Sequence, residues 1–341
     1  MEVHSIKHID QKGESKNMQR DALQILNEVR KVIVGKDLVI AKVFMAILSK
    51  GHVLLEDVPG VGKTTLALSF SKVLGLDYRR IQFTSDSVPS DIVGFSIYDK
   101  KDGDFKYKAG AAMTNLLLAD EINRTSSKTQ SALLEVMEEG QMTVDGITRK
   151  VPEPFIVLAT QNPVGSAGTQ MLPNSQMDRF MVKLQMGYPD IKSQINILKE
   201  RHRNDPLDNV HQVTSKQQLM MMQKAADAVH IADSIYDYVA RLADATRKRQ
   251  DIQLGISPRG TLALCRMSKS YAFIKGRDYV VPEDVVAVFK DVCGHRIILS
   301  SKAKISAVKE EEILTDILKH VPVPAIKSNP QNLDSKKDEK K

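Results

Sequence analysis

Residues 52–65 read HVLLEDVPGVGKTT, an apolar run followed by a glycine-containing turn and the start of a predicted helix. A phosphate-binding loop requires this context, with a strand before the glycines and a helix after them. The glycines let the backbone wrap around a phosphate with its N–H groups pointing inward, and the helix adds its positive N-terminal dipole. Lys63 can reach the β- and γ-phosphates, and the Thr64 hydroxyl can bind Mg²⁺. The alternative is a chance Gly-Lys-Thr sequence in a loop.

The loop departs from the pattern G-x-x-x-x-G-K-[ST] at its first position, where Asp57 replaces glycine. A carboxylate aimed at the phosphates would repel them. We therefore expect the Asp57 side chain to point outward, which leaves Pro59 and Gly60 to shape the turn.

A second element, NLLLADE at residues 115–121, is an apolar run that ends in two adjacent carboxylates. Ligands bind at the carboxyl ends of parallel strands, so both acids are expected beside the phosphate loop. Asp120 would hold the Mg²⁺ shell, and Glu121 would orient or deprotonate the attacking water. Paired acids can also end a strand simply because they are solvated, but the phosphate loop upstream favours the hydrolytic interpretation.

A third apolar run ends in ATQNP at residues 159–163. If this run is a neighbouring strand, the amide of Asn162 could position the water against the γ-phosphate. The alternative is an ordinary Asn-Pro turn.

Composition limits the class of protein. The 341 residues are 42% hydrophobic and carry 49 Lys and Arg against 42 Asp and Glu, a net charge of +7. This length predicts two domains, and no apolar run approaches the roughly 20 residues of a membrane span. The first sixteen residues lack the apolar core of a secretory signal, so we expect a cytosolic protein. The mild basicity permits contact with nucleic acid without arguing for it. Cys265 and Cys293 predict free thiols, and the eight histidines lack zinc-ligand spacing.

Five short apolar runs alternate with helical stretches, which is typical of a buried parallel sheet. They span residues 52–56, 80–83, 116–119, 155–159 and 181–184. Two charged hairpins interrupt the pattern, at 95–107 with a turn at Asp102-Gly103 and at 141–151 with a turn at Asp145-Gly146. Ser127 and Gln130 have capping-box spacing at the start of a helix predicted over 128–139.

Helices are predicted over 17–33 and 37–49 before the sheet, and an all-α domain follows the hinge sequence Gly187-Tyr188-Pro189-Asp190. Its helices are predicted at 191–203, 215–228, 232–249, 258–275 and 282–299. The predicted organisation is a flexible N-terminus (1–16), an α/β domain (17–186), a hinge (187–190), a helical domain (191–322) and a disordered charged tail (323–341).

Several of these segments together resemble the MoxR family of AAA+ ATPases over roughly residues 17–320. The strings that carry the resemblance are VGK (34–36), LADEINR (118–124), KTQSALLE (128–135), ATQNP (159–163) and MDRF (177–180). The resemblance implies an α/β/α nucleotide domain with strand order 5-1-4-3-2, followed by a helical lid. The sequence GAAM at 110–113 departs from the family, where a Gly-Pro-aromatic stretch is usual.

The resemblance also assigns site residues. The nucleotide-binding set would be Val34, Gly35, Pro59, Gly60, Val61, Gly62, Lys63, Thr64, Thr65 and Asp120, with Val34 and Gly35 at the adenine pocket. Asn162 matches sensor 1, and Arg179 matches the arginine finger that reaches a neighbouring subunit's γ-phosphate. Arg259, in GISPRG, matches sensor 2 at the start of a lid helix. The alternative for both arginines is a surface salt bridge. Arg124 is a further candidate for an inter-subunit contact.

The resemblance implies an ATP- and Mg²⁺-dependent ring, most often a hexamer, that remodels or matures a protein target. The lid would close on ATP and drive the two hairpins, which face the central pore in related machines. Partners in the family often carry a von Willebrand factor A domain, and contact with a membrane would come through a partner. Two alternatives are a nucleic-acid motor of the same superfamily and a nucleotide-gated scaffold that does not hydrolyse ATP.

Overall fold

The computed structural model describes residues 2–162, 170–201 and 205–324. The strands are β1 (Val53–Glu56), β2 (Tyr78–Gln82), β3 (Phe95–Asp99), β4 (Asp104–Lys108), β5 (Leu116–Asp120), β6 (Gln141–Val144), β7 (Ile147–Lys150), β8 (Ile156–Gln161), β9 (Val182–Leu184), β10 (Ile252–Leu254) and β11 (Ile298–Leu299). The helices are α1 (Glu2–Val32), α2 (Asp37–Leu48), α3 (Lys63–Leu74), α4 (Pro89–Val93), α5 (Ser127–Glu139), α6 (Asn174–Met177), α7 (Ile191–Arg201), α8 (Lys216–Asp227), α9 (Asp233–Lys248), α10 (Pro258–Ile274), α11 (Pro282–Cys293), α12 (Ser301–Ile305) and α13 (Glu310–His320).

The five predicted apolar runs form one parallel sheet in the order β2-β5-β8-β1-β9. Numbered along the chain, this order is 5-1-4-3-2 from the β9 edge, so the predicted α/β/α fold is confirmed. Val53 of β1 pairs with Leu158 on one side and Val182 on the other. All five strands therefore have their carboxyl ends at one edge of the sheet.

The central strands are apolar along their whole length because both of their faces are covered. In β1, Val53 and Leu55 belong to one buried cluster that also contains residues of α3. Leu54, between them, belongs to a second cluster with Leu133 of α5. Alternate side chains thus enter opposite layers of the domain, as the pleat of a strand requires.

Helix α5 forms where a helix was predicted, but its N-cap is not the predicted residue. The N-cap is Ser126, whose hydroxyl accepts the backbone N–H of Thr129 at 3.3 Å. Ser127, the predicted capping residue, is the first residue of the helix. Ser126 has extended backbone angles (φ −63°, ψ 154°), and this conformation lets its side chain reach the third amide of the helix.

Both hairpins form as predicted, β3 with β4 and β6 with β7. Asp145 and Gly146 have φ of +53° and +75°, the left-handed values that a two-residue hairpin turn needs. After β4 the chain returns through the atypical GAAM sequence. The N–H of Ala111 donates to Asp91 O at 2.8 Å, which ties this return to α4.

The first helix is longer than predicted. The helix predicted to begin at residue 17 begins at Glu2, in the segment expected to be flexible, and ends at Val32. The apolar positions on which the prediction rests, Leu23, Leu26, Val29 and Ile33, all lie beyond residue 22, and the residues before 17 are mostly polar. Buried residues of α1 and α2 join the sheet and the helical domain in one apolar cluster.

The second domain is helical as predicted, with two differences. Strands β10 and β11 form a short antiparallel pair. The helix predicted over 282–299 ends at Cys293, because the next residues turn back towards the sheet, where Arg296 contacts the segment before β9. Most of the predicted tail, residues 325–341, lies outside the described residues.

Both cysteines carry free thiols, as predicted. Complete burial raises the pKa of the Cys293 thiol to about 12. None of the helices in the described ranges combines the length and the apolar character that a bilayer span needs.

Candidate nucleotide site

The phosphate loop connects the carboxyl end of β1 to α3. Gly60 and Gly62 have φ of +85° and +98°, values that side chains with a Cβ rarely adopt. The backbone N–H groups of residues 60–65 donate no backbone hydrogen bond to any residue that the structure describes. These free donors and the N-terminus of α3 form a cradle for an anion, so the loop fits a polyphosphate.

Lys63 lies across this loop with 8% of its surface exposed, and its Nζ donates to the Asp57 carbonyl oxygen at 2.7 Å. Burial lowers the pKa of Lys63, while the charges of Asp120, Asp57 and Glu121 oppose that shift. The ammonium group therefore lies among carboxylates, within the loop that would surround the phosphates.

Asp57 points out of the loop, as expected. Its Oδ2 accepts the backbone N–H of Gly187 at 3.0 Å and also that of Met186. The residue that replaces the first glycine of the pattern thus binds the hinge that leads into the helical domain.

Asp120 lies at the end of β5 with both carboxylate oxygens engaged. Oδ1 accepts from the Thr160 hydroxyl at 2.5 Å, and Oδ2 pairs with Nη2 of Arg80 at 2.7 Å. The Asp120 carboxylate is buried and close enough to the phosphate loop for its charge to act on Lys63, the residue before Thr64. A carboxylate and a hydroxyl offer the hard oxygen ligands that Mg²⁺ prefers, and Mg²⁺ usually keeps several waters besides. The oxygen chemistry of these two residues fits the ion.

Glu121 has a left-handed backbone with φ of +57°, which is uncommon outside glycine and frequent at functional sites. Its Oε1 accepts from Asn162 Nδ2 at 3.1 Å, and its Oε2 pairs with Arg124 at 2.9 Å. Partial burial alone would raise the pKa of Glu121, but the hydrogen bonds from Arg124 and Asn162 outweigh it and the pKa is lowered. The side chain is ionised at neutral pH and able to accept a proton.

Asn162 follows β8 and faces Glu121, so the structure brings these two predicted residues together. Its Oδ1 is buried and has no hydrogen-bond partner among the residues that the structure describes. Asn123 fixes the backbone on both sides, since its amide donates to Asn162 O at 3.1 Å and accepts the Asn162 N–H at 3.3 Å. A buried, unpaired carbonyl oxygen beside Glu121 offers an acceptor to a water or ligand.

Gly35 lies where α7, the first helix after the hinge, packs against the sheet domain. A Cβ at Gly35 would overlap Ser193 of α7, so the close approach of this helix requires glycine. Lys36 Nζ also donates to Tyr188 O at 2.8 Å. These contacts place Gly35 and Lys36 at the junction of the two domains.

The two candidate arginines lie at the other end of the sheet. Arg179 precedes β9, where the N–H of Met181 donates to the carbonyl of His52 at 2.8 Å, at the start of β1. Arg179 pairs with Glu138 at 3.0 Å, and Arg259 pairs with the other oxygen of the same carboxylate. Strand β1 separates this edge from the phosphate loop by about 13 Å. Arg259, which matches sensor 2 at the start of a lid helix, therefore lies beside Arg179 and away from the phosphate loop of its own chain.

Both arginines line a cleft with a volume of about 440 Å³. Five basic side chains and two acidic ones face it, namely Lys50, Arg179, Arg259, Arg266, Arg296, Glu138 and Asp178. Arg179 and Arg259 are 30% and 47% exposed, and an ion pair at that exposure is worth little. The cleft thus carries excess positive charge that a phosphate group could satisfy.

Sequence reasoning missed several residues of this site. Thr160 lies inside the quoted string ATQNP, but only the amide was assigned a role. No local sequence pattern indicated that Arg80 belongs to the site, because its partner Asp120 lies 40 residues later in the chain. None indicated Lys50 or Arg266 either, since their place in the cleft follows from packing between domains.

Two family descriptions match this chain. The first, "ATPase family associated with various cellular activities (AAA)", covers residues 52–182, and the second, "AAA lid domain", covers residues 244–317. The first lies within the sheet domain and the second within the helical domain.

Similar proteins span nearly the whole chain. YeaC of Bacillus subtilis, described as uncharacterised, is 44% identical over 303 residues, covering 89% of this chain and 95% of that protein. Chaperone MoxR1 of Mycobacterium tuberculosis is 39% identical, covering 89% and 82%. A crystal structure of an ATPase candidate from Cytophaga hutchinsonii has a TM-score of 0.87 and 36% identity, covering 95% and 100%. With the sheet order, the phosphate loop and this similarity together, the chain belongs to the MoxR family of AAA+ ATPases.

Proposed function

We propose that this chain hydrolyses Mg²⁺-bound ATP between neighbouring subunits of a ring, and that the cycle remodels or matures protein targets. The observation that carries the proposal is the division of the site between two ends of the sheet. The phosphate loop and Glu121 lie at the carboxyl ends of the strands, and Arg179 and Arg259 lie at the amino ends. Such a chain completes a site only against another copy.

In the half-site of one chain, the free N–H groups of residues 60–65 would hold phosphate oxygens. Lys63 would exchange the Asp57 carbonyl for those oxygens. Thr64 and Asp120 would hold Mg²⁺, which neutralises phosphate charge when bound. Glu121 would accept a proton from the attacking water, which the Asn162 side chain helps to orient.

The other half-site would come from the neighbouring subunit. A phosphate entering the cleft would replace Glu138 as the partner of Arg179 and Arg259. Guanidinium groups there would meet the charge that develops on the γ-phosphate in the transition state. The salt bridge with Glu138 would then be the resting arrangement of residues that act in the assembled ring.

A protein target is supported by two observations. One relative is named a chaperone. The β3–β4 hairpin also exposes large apolar side chains, namely Phe95, Ile97, Tyr98 and Phe105. Exposed apolar patches of this kind mark contact sites for other proteins. By family resemblance we extend the proposal to a hexamer and to a partner with a von Willebrand factor A domain.

A nucleic-acid motor is the weaker alternative. On the β3–β4 hairpin, Lys106 pairs with Asp99 at 2.7 Å and with Asp102, so its charge is locally neutralised. Over residues 95–108, four lysines stand against three aspartates, so the hairpin carries a net charge of only +1. A motor that grips phosphates would need a denser excess of cations there. DNA-stimulated turnover with a steep salt dependence would favour this alternative instead.

The test is ATP turnover by purified protein and by mixed rings. Glu121→Gln should retain ATP binding and lose hydrolysis, and unchanged turnover would refute the catalytic assignment of Glu121. ATP binding without turnover in the unchanged protein would instead support a scaffold that does not hydrolyse ATP. Arg179→Ala should be inactive alone and regain turnover when mixed with Glu121→Gln, because each subunit supplies the half-site that the other lacks. A mixture with no more turnover than its components would contradict a shared site. Pull-down with the Glu121→Gln variant in ATP would identify the protein target.

A further inference from the structure

Arg296 lies directly behind the segment that carries Arg179. Its side chain is 2% exposed, and its Nε donates to Asp178 Oδ1 at 2.7 Å. Its two terminal nitrogens donate to the carbonyl oxygens of Asp178 (3.1 Å), Phe180 (2.6 Å) and Met181 (3.1 Å). One guanidinium group thus holds the backbone on both sides of Arg179, while the Arg179 side chain remains partly exposed in the cleft.

The same group contacts the helix that carries Arg259. The Ser257 hydroxyl, which caps α10, donates to Asp178 Oδ2 at 2.9 Å, so Asp178 bridges Arg296 and the start of α10. A Cβ at Gly260 would lie 2.7 Å from Arg296 Cδ, which shows how closely α10 packs on this side chain. Arg296 therefore fills the space between the two arginine-bearing segments.

We propose that Arg296 is a positioning residue that holds Arg179 and Arg259 as one rigid pair, aimed at the neighbouring subunit's γ-phosphate. The proposal rests on the proposed function, because it assumes a phosphate from another chain in the cleft. Arg296 comes from the helical domain and Arg179 from the sheet domain, so the contact links the arginine of one domain to that of the other.

The chemistry favours arginine at this position. A buried charge is tolerated only when its hydrogen-bonding groups are satisfied, and the planar guanidinium offers five donors in a fixed fork. Lysine would supply one point charge and could not hold three carbonyl groups and a carboxylate together. Because a misplacement of about 1 Å can cost up to about a hundredfold in rate, loosening this contact should reduce turnover without touching the phosphate loop.

The test places Arg296→Lys on one side of the shared site at a time. The reference mixture is Arg179→Ala with Glu121→Gln, where the second subunit donates its arginines. Adding Arg296→Lys to the donor (Glu121→Gln, Arg296→Lys) should reduce the restored turnover at least about tenfold at equal ring content. When Arg296→Lys is instead added to the receiving subunit (Arg179→Ala, Arg296→Lys) and mixed with the Glu121→Gln donor, turnover should stay close to that of the reference mixture. The affinity of Arg296→Lys for ATP should be unchanged.

Arg277→Lys is the matched control, because Arg277 pairs with buried Asp284 within the helical domain and lies outside the cleft. It should have no effect on the donor side. If Arg296→Lys fails to fold, Asp178→Asn replaces it, since this change removes the bridging charge and keeps the shape. Equal turnover with both donors, or a defect that follows the receiving subunit, would overturn the positioning role. Failure of the reference mixture itself would instead count against the proposed function.

Discussion

The Asp57 carboxylate accepts the backbone N–H of Gly187 at 3.0 Å, which joins the phosphate loop to the hinge between the two domains. In the common form of this loop a glycine occupies the position and can make no such contact. The loop therefore holds the hinge through a side chain that does not face the phosphates.

Asp57→Ala should lower the free energy of unfolding by about 2 kcal/mol, because it leaves the amides of Met186 and Gly187 without an acceptor. Asp57→Asn keeps a carbonyl oxygen at the same place and should lower the free energy of unfolding by less. Denaturant titrations of both variants measure the difference. Equal stability of the alanine variant and the unchanged protein would mean that water replaces the carboxylate without cost.

Lys63→Ala should abolish or severely weaken ATP binding, since the loop loses the one ammonium group placed among its carboxylates. Titration with a fluorescent ATP analogue and Mg²⁺ measures the affinity. Lys36→Ala is a suitable control, because Lys36 contacts the Tyr188 carbonyl near the same hinge and not the loop. Similar losses in both variants would point to a general disturbance of the domain junction.

Asn162→Ala should reduce kcat by about tenfold to a hundredfold and change ATP affinity little, because it removes the hydrogen bond that orients Glu121. The pKa of Glu121 should rise towards its ordinary value, since a hydrogen bond to the charged form is lost. Turnover measured from pH 8 down to pH 5 should then begin to fall at a higher pH than in the unchanged protein. Coincident pH profiles would exclude this role for the amide.

His52 makes stability depend on pH. Its Nδ1 accepts the N–H of Val157 at 3.0 Å, so Nε2 must carry the hydrogen and donate to Met137 O at 3.0 Å. Burial lowers the pKa of His52 to about 4, against about 6.5 in an unfolded chain. The unfolded state therefore binds the proton first, and the free energy of unfolding falls as the pH drops below about 6.5.

Complete protonation should remove about 3 kcal/mol between pH 6.5 and pH 4. His52→Gln can keep one donor and one acceptor without titrating in this range. Unfolding curves at several pH values should give a shallower pH dependence for this variant. Parallel dependences in the two proteins would show that other groups, such as His295, whose pKa burial also lowers, account for the effect.

Much of the sheet domain could be predicted because its signals are local. A strand buried on both faces must be apolar along its length, and the runs around Leu54, Leu117 and Val157 satisfy that condition. The phosphate loop could be found because Gly60 and Gly62 meet a backbone requirement that few other residues meet. The acids at 120 and 121 were found because they end such a strand.

The remainder depends on backbone conformation at single residues or on contacts between distant parts of the chain. Ser126 and Ser127 differ in role by one residue, and only the backbone angles decide which of them caps α5. The end of α11 is set by Arg296, whose partner Asp178 lies 118 residues earlier. The placement of Arg259 beside Arg179 follows from how the helical domain docks, and no local periodicity encodes that.

The short strand β1 has a kinetic consequence. The phosphate loop and the two arginines lie at opposite ends of this four-residue strand. Under the proposed shared site, a single protomer would hold only complementary halves, and mass action would govern catalysis. Dilution should then lower the rate per protomer without unfolding the protein, and a higher protomer concentration should raise it. The concentration of the protein in the cell would then limit the rate of ATP hydrolysis per protomer, without any effector.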